Sequence, residues 1–200
     1  NGIAEVKLDD ALDLTGNEVI PDPTEGGQFE LDNIPPSAFI SYQDGSGSPY
    51  AGPYRQGADN VTMIVDFSEE MESTPTLNLM GATNINDLPL TLDQTNPKRY
   101  RHILSIPAGD GLVKVSLHGA DPAGNQVQMV PTSGDNFTLD NTAPTGSLTF
   151  SGPGAQDGYT NTNSVNIQFT AQDAFGIAAY SIRMDNASVP EIFDFVDTIA

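Results

Sequence analysis

The 200-residue chain contains no cysteine and no tryptophan. The first absence excludes disulfide scaffolds, thiolate metal sites and cysteine nucleophiles. Stability must come from a core, from metal or from assembly. Basic residues are scarce too: seven Lys and Arg stand against 27 Asp and Glu, a formal charge of −20. Affinity for phosphate needs a basic patch, so no nucleic-acid partner is expected, nor docking on an anionic membrane surface. No apolar run approaches the roughly 18 residues of a membrane-spanning helix, so this segment is not expected to insert in a membrane. No basic-then-apolar leader opens the chain. Asn1 starts close to a strand pattern, and the expectation is a mature or excised piece of something longer.

Chemistry-bearing motifs are equally sparse. There is no GxGxxG after a strand, no phosphate loop and no HExxH. No serine stands out on a strained turn. The two histidines read as unrelated strand residues: His118 falls on the face of Lys114 and Ser116, His102 on that of Tyr100 and Leu104. No enzyme is expected within these residues.

What is present is an internal repeat, the first feature to settle in any fold assignment. Phe29-Glu30-Leu31-Asp32-Asn33-Ile34-Pro35-Pro36 recurs 108 residues later as Phe137-Thr138-Leu139-Asp140-Asn141-Thr142-Ala143-Pro144. At the same offset Asp13-Leu14-Thr15-Gly16-Asn17 returns as Asp121-Pro122-Ala123-Gly124-Asn125. With one residue of slippage, Ile3, Val6 and Leu8 match Leu112, Val115 and Leu117. The run from Val61 to Phe67 resembles Val165 to Ala171 at an offset of 104. The reading is one complete unit over 37–141, preceded by the tail of another (1–33) and followed by the first half of a third (145–200).

The local pattern is β. Val61, Met63, Val65 and Phe67 alternate with Thr62, Ile64 and Asp66, and Val113, Val115 and Leu117 with Lys114, Ser116 and His118, the period-2 signature of half-buried strands. Gly- and Asp-rich turns separate the runs. About seven short strands in a unit predict an all-β antiparallel sandwich.

In this order of motifs the chain resembles the bacterial immunoglobulin-like repeats of large secreted and cell-surface proteins. The resemblance is carried by Phe67-Ser68-Glu69, Gly109-Asp110-Gly111 before Val113, the Asp121 to Asn125 loop and the Asp140 to Pro144 junction. The third unit departs from it, with Ala171-Gln172-Asp173-Ala174 in place of Phe-Ser-Glu. The resemblance implies tandem immunoglobulin-like β-sandwiches arranged as a linear rod. It further implies that the linker, the loop after the second strand and the loop between the last two strands meet at one pole. That would gather Asp32 and Asn33, Glu69 and Glu70, and Asp121, with Asn125 holding the turn; the next junction repeats the scheme with Asp140, Asn141 and Asp173. Close carboxylates repel, and a hard cation offsets this: Ca²⁺ takes 6–8 oxygens, whereas Mg²⁺ demands tighter octahedral geometry. The same residues also make ordinary turns, since Asp and Asn before Pro are turn formers and Pro36 and Pro144 stiffen the linker with or without metal. Acidity itself also serves solubility in a salt-adapted source.

The function expected is a structural or adhesive segment of an extracellular, cell-surface protein, rigidified by calcium between adjacent repeats of one polypeptide. A host or surface glycan or protein receptor is a further partner, with Tyr50, Tyr54 and Tyr159 as candidate glycan contacts or simply caps of the sandwich. One alternative is a homopolymeric filament or sheath subunit, in which residues 1–28 of one copy complete residues 145–200 of another. Against it stands the missing counterpart of about 93–109. Another is a carbohydrate-binding or spacer module of a secreted hydrolase. The sequons at Asn60, Asn136 and Asn186 fit chance in an Asn- and Thr-rich chain.

Overall fold

The computed structural model describes residues 1–50, 52–57, 60–151 and 166–179, with the backbone of 182–183 and 192–193. Tyr159 and Asn186, and much of the 145–200 half-unit, lie outside the described residues. The chain forms two compact units, Asn1–Leu139 and Asp140–Ala200.

All regular structure among the described residues is β. In the first unit the strands are β1 (Gly2–Glu5), β2 (Gln28–Leu31), β3 (Ala38–Gln43), β4 (Val61–Phe67), β5 (Thr76–Gly81), β6 (Ile85–Pro89), β7 (Thr91–Leu92), β8 (Arg99–Leu104), β9 (Gly111–His118) and β10 (Asn136–Leu139). The second unit holds β11 (Thr145–Ser151), β12 (Asn166–Gln172), β13 (Ile182–Arg183) and β14 (Ile192–Phe193). Two four-stranded antiparallel sheets, ordered β3-β4-β8-β7 and β10-β9-β5-β6, make up most of the first unit. Their inward residues share one core: Met63, Val65 and Tyr100 from one sheet, Leu77, Leu79, Val113, Leu117 and Leu139 from the other. This is the arrangement of a β-sandwich. Leu90, almost wholly buried between β6 and β7, marks where the chain passes from one sheet to the other.

The alternation in β4 and β9 turns Val61, Met63, Val65 and Phe67, and Val113, Val115 and Leu117, into the core as expected. Ile64 departs from the pattern: it sits on the outer face of β4 yet is buried. The register explains this, since β4 is a central strand and Ile64 lies between Ser41 and Arg101, whose long stem covers apolar surface. His118 is exposed and half-buried His102 sits in a strand with buried Tyr100 and Leu104, so the two share no face.

One flank of the sandwich is closed by the segment between β9 and β10. Leu117 N–H donates to Met129 and Val115 N–H to Asp135, while Thr132 N–H donates to Ala38 and Ile40 N–H to Ser133. The segment thereby joins β9 to the free edge of β3.

An aromatic cluster sits beside that flank. Tyr42, Tyr54 and Phe137 meet with ring centroids 5.7–6.3 Å apart. Burial, with the nearby charges of Tyr50 and Asp44, pushes Tyr54 up to about 12. Burial, with Tyr54 and Asp135, pushes Tyr42 well above the usual phenol range. The neutral hydroxyls belong to the folded state, so their stabilisation is complete below the unfolded value of about 10 and is lost as pH rises through the folded values. Tyr42 and Tyr54 should therefore ionise together with unfolding. Tyrosinate absorbance tracked beside circular dichroism checks this; ionisation of both in a still-folded protein would contradict it.

The β1–β2 hairpin forms a separate two-stranded sheet whose register copies that of β9–β10. Gly2↔Leu31, Ile3↔Glu30, Ala4↔Phe29 and Glu5↔Gln28 match Gly111↔Leu139, Leu112↔Thr138, Val113↔Phe137 and Lys114↔Asn136. The loops agree as well: Asp13 N–H donates to the Asn17 carbonyl as Asp121 N–H does to Asn125, and Val19 N–H to Ala11 as Val127 N–H does to Gly119. In the same way β11–β12 (Gly146↔Ala171 to Ser151↔Asn166) repeats β3–β4 (Ala38↔Phe67 to Gln43↔Thr62).

Candidate metal centre

Three elements of the first unit converge at one end of the sandwich. Asp32 follows β2, and its carboxylate accepts the Ile34 N–H at 3.0 Å, the local bond of an Asx-turn. Glu69 follows β4, where Ser68 N–H donates to the Ser37 carbonyl at 2.8 Å and Ser68 Oγ accepts the Ser37 N–H at 3.0 Å. Asp121 opens the loop after β9. That loop is fastened to the one after β4 by the Glu72 N–H, which donates to the Ala120 carbonyl at 2.9 Å.

Asp121 is fully buried, the only buried charged side chain among the described residues. Its two oxygens accept the Asn125 N–H and the Asn125 side-chain amide, each at 2.9 Å. Asn125 also donates to the Asp32 carbonyl at 3.1 Å, so it ties the linker to the loop besides holding the turn. Carboxylate oxygens of Asp32, Glu69 and Asp121 all lie within 4.8 Å of one another.

The electrostatics divide the cluster. Burial works against charge on Asp121, but hydrogen bonds from Asn125 and from the Ala123 and Gly124 N–H groups outweigh it and hold the carboxyl below its usual range. Burial raises Glu69, and the charges of Asp32 and Asp121 and a hydrogen bond with Asp32 raise it further; Lys98 pulls the other way. The Lys98 ammonium donates to the Ser68 carbonyl at 2.9 Å and brings positive charge to this end.

The distances suit a shared hard cation. Calcium–oxygen bonds of about 2.3–2.6 Å place ligand oxygens on opposite sides of the ion about 4.6–5.2 Å apart. A set of oxygens all within 4.8 Å of one another is compatible with sharing one such ion. The donors are hard oxygens, as Ca²⁺ requires.

Other expected ligands fall outside the cluster. Glu70 and Asn33 are exposed neighbours of Glu69 and Asp32. Glu70 is felt at Tyr100 instead. In the second unit, Asp140 bonds the Thr142 N–H at 3.3 Å and Asp173 the Phe175 N–H at 2.8 Å. Asp140 and Asp173 join no group of three His, Cys, Asp or Glu side chains among the described residues.

Asn1 and Lys98 also reach this end of the sandwich. The Asn1 side chain donates to the Asp32 carboxylate and accepts the Asn33 N–H at 2.9 Å. Neither residue sits in a motif, and only the fold brings them here. Comparison with protein-family models and with curated proteins yields no match to this chain.

Proposed function

We propose that residues 37–139 form an immunoglobulin-like module of a rod-shaped, extracellular surface protein, and that Ca²⁺ held by Asp32, Glu69 and Asp121 clamps the module to the β1–β2 hairpin before it. The reading is structural and adhesive, not catalytic. The observation that carries it is the convergence of three carboxylates, 37 and 52 positions apart in sequence, within 4.8 Å. Three acidic groups at that spacing repel one another, and a divalent cation reverses the sign of the interaction. The matching registers of β1–β2 with β9–β10 and of β11–β12 with β3–β4 support a repeated unit of one kind. In such arrays each unit touches its neighbours alone, and stiffness is decided at the junctions.

Extracellular modules bind Ca²⁺ at about 10⁻⁴–10⁻³ M. Excess calcium should then raise the Tm of the first unit by roughly 5–15 °C at 10 mM, and small-angle scattering should show a smaller maximum dimension or a broader distance distribution in chelator. A Tm and a scattering profile indifferent to calcium would overturn the proposal.

A further inference from the structure

One flank of the complete module is closed by a pairing that runs nearly its whole length. The segment between β9 and β10 lies beside β3. Gln128 N–H donates to the Pro36 carbonyl, the Thr132 N–H and hydroxyl to that of Ala38, Ile40 N–H to Ser133, and the Tyr42 hydroxyl to Gly134. Partners advance together from 36 to 42 on one side and from 128 to 134 on the other, so the two stretches are parallel. The contact is close: a Cβ on Gly134 would meet the Ile40 carbonyl oxygen at 2.0 Å. On its other side the segment is bonded to β9 through the Met129 and Asp135 carbonyls. It then continues into β10, which pairs with β9 from Lys114 to Gly111. Farther along, Tyr54 N–H donates to the Thr138 carbonyl at 2.9 Å, and Tyr54 bridges Leu139, again in parallel.

The chain enters and leaves this module at opposite ends. Ser37, just before β3, bonds to Ser68 at the end where Asp32, Glu69 and Asp121 meet. Leu139, the last residue of β10, pairs with Gly111 at the start of β9, whereas Asp121 follows the other end of β9. Tension on the polypeptide therefore draws β3 toward the carboxylate end, and the segment from 128 to 139 toward the far end. Parallel stretches pulled in this way slide past each other lengthwise, so all the bonds between them are loaded at once. Drawing both apart at the far end would instead open the bonds in turn, that of Tyr42 with Gly134 first. We infer that the pairing of 36–42 with 128–134 is a load-bearing clamp, through which the module transmits tension along the polypeptide without unfolding. The other edge of β3, paired with β4 from Ala38 to Gln43, resists in the same lengthwise direction. Forced unfolding is governed by the unfolding rate rather than by equilibrium stability, so the clamp supplies a resistance that a melting temperature does not measure. The inference rests on the reading of the module as one link of a longer protein, and not on calcium.

Force spectroscopy of the full chain in chelator tests it. With no native cysteine, pairs of introduced cysteines serve as handles. Ile34→Cys with Thr142→Cys pulls the module from end to end; Asp32 then lies outside the load path, so the calcium clamp takes no part. Gly45→Cys with Thr142→Cys draws the far end of β3 away from the end of β10. All three positions are exposed. At equal loading rate the end-to-end pair should unfold at a several-fold higher force than the far-end pair. Tyr42→Phe with Thr132→Val removes the two side-chain bonds of the clamp and should lower the end-to-end force substantially. Leu88→Ala is the control: the side chain is in β6, away from the clamp, and packs against the core. It should lower the Tm at least as much as the clamp variant does, yet leave the end-to-end force close to that of the wild type. Equal forces in the two pulling directions, or a loss of force in Leu88→Ala as large as in the clamp variant, would overturn the inference whether or not calcium binds.

Discussion

Gly134→Ala should destabilise the first unit by about 2–4 kcal/mol, among the largest effects of any single-methyl addition to this chain. Two costs combine. The backbone there has φ +69°, a conformation that an L side chain adopts with strain. The added Cβ would also lie 2.0 Å from the Ile40 carbonyl oxygen and 2.8 Å from its carbon, so backbone must move. Moving it breaks the Ile40 N–H bond to Ser133 and the Thr132 N–H bond to Ala38, and displaces the Gly134 carbonyl that accepts the Tyr42 hydroxyl at 2.7 Å. Chemical denaturation of the variant should show a lower midpoint with an unchanged slope. Gly26→Ala supplies the control, because it has the same φ with open space around it: it pays the conformational strain without the clash and should cost much less. Equal losses in the two variants would show that the close approach to β3 contributes nothing.

Asp121→Ala should lower the Tm by roughly 10 °C or more even with calcium absent. The side chain is fully buried, and its carboxylate accepts both the backbone and side-chain N–H groups of Asn125. Truncation strands those donors, and with them the Asn125 bond to the Asp32 carbonyl. The sign of the pH dependence follows from the same bonds. They hold the Asp121 carboxyl below its ordinary range, so its contribution is present above the unfolded value of about 3.9 and is lost as pH falls through the lower, folded value. The wild type should lose stability below about pH 4 more steeply than the variant. Melting curves of both proteins between neutral and acid pH check this; parallel curves would contradict it.

The strands were readable because alternation is a local signal. Met63, Val65, Val115 and Leu117 declare an inward face by spacing alone, and their burial agrees. Ile64 was not readable in that way, since its burial depends on β4 having neighbours on both sides. The repeat was legible down to the loop, as the shared bonds of Asp13 with Asn17 and Asp121 with Asn125 show. Of the candidate ligands, Asp32, Glu69 and Asp121 come together. Composition and motif could not say which of Glu69 and Glu70, or of Asp32 and Asn33, would turn inward, because that is decided in the turns that follow β2 and β4. Asn1 and Lys98 carry no sequence signal; their place beside Asp32 and Ser68 follows from folding alone.

Calcium-dependent melting of wild type beside Glu69→Gln tests the clamp most directly. Burial and the charges of Asp32 and Asp121 work against ionisation of Glu69, so in chelator the amide variant should melt at the wild-type temperature or slightly above it. Calcium should raise the wild-type Tm and leave that of the variant nearly unmoved. An equal rise in both proteins, or none in either, would contradict a calcium ion held by Asp32, Glu69 and Asp121.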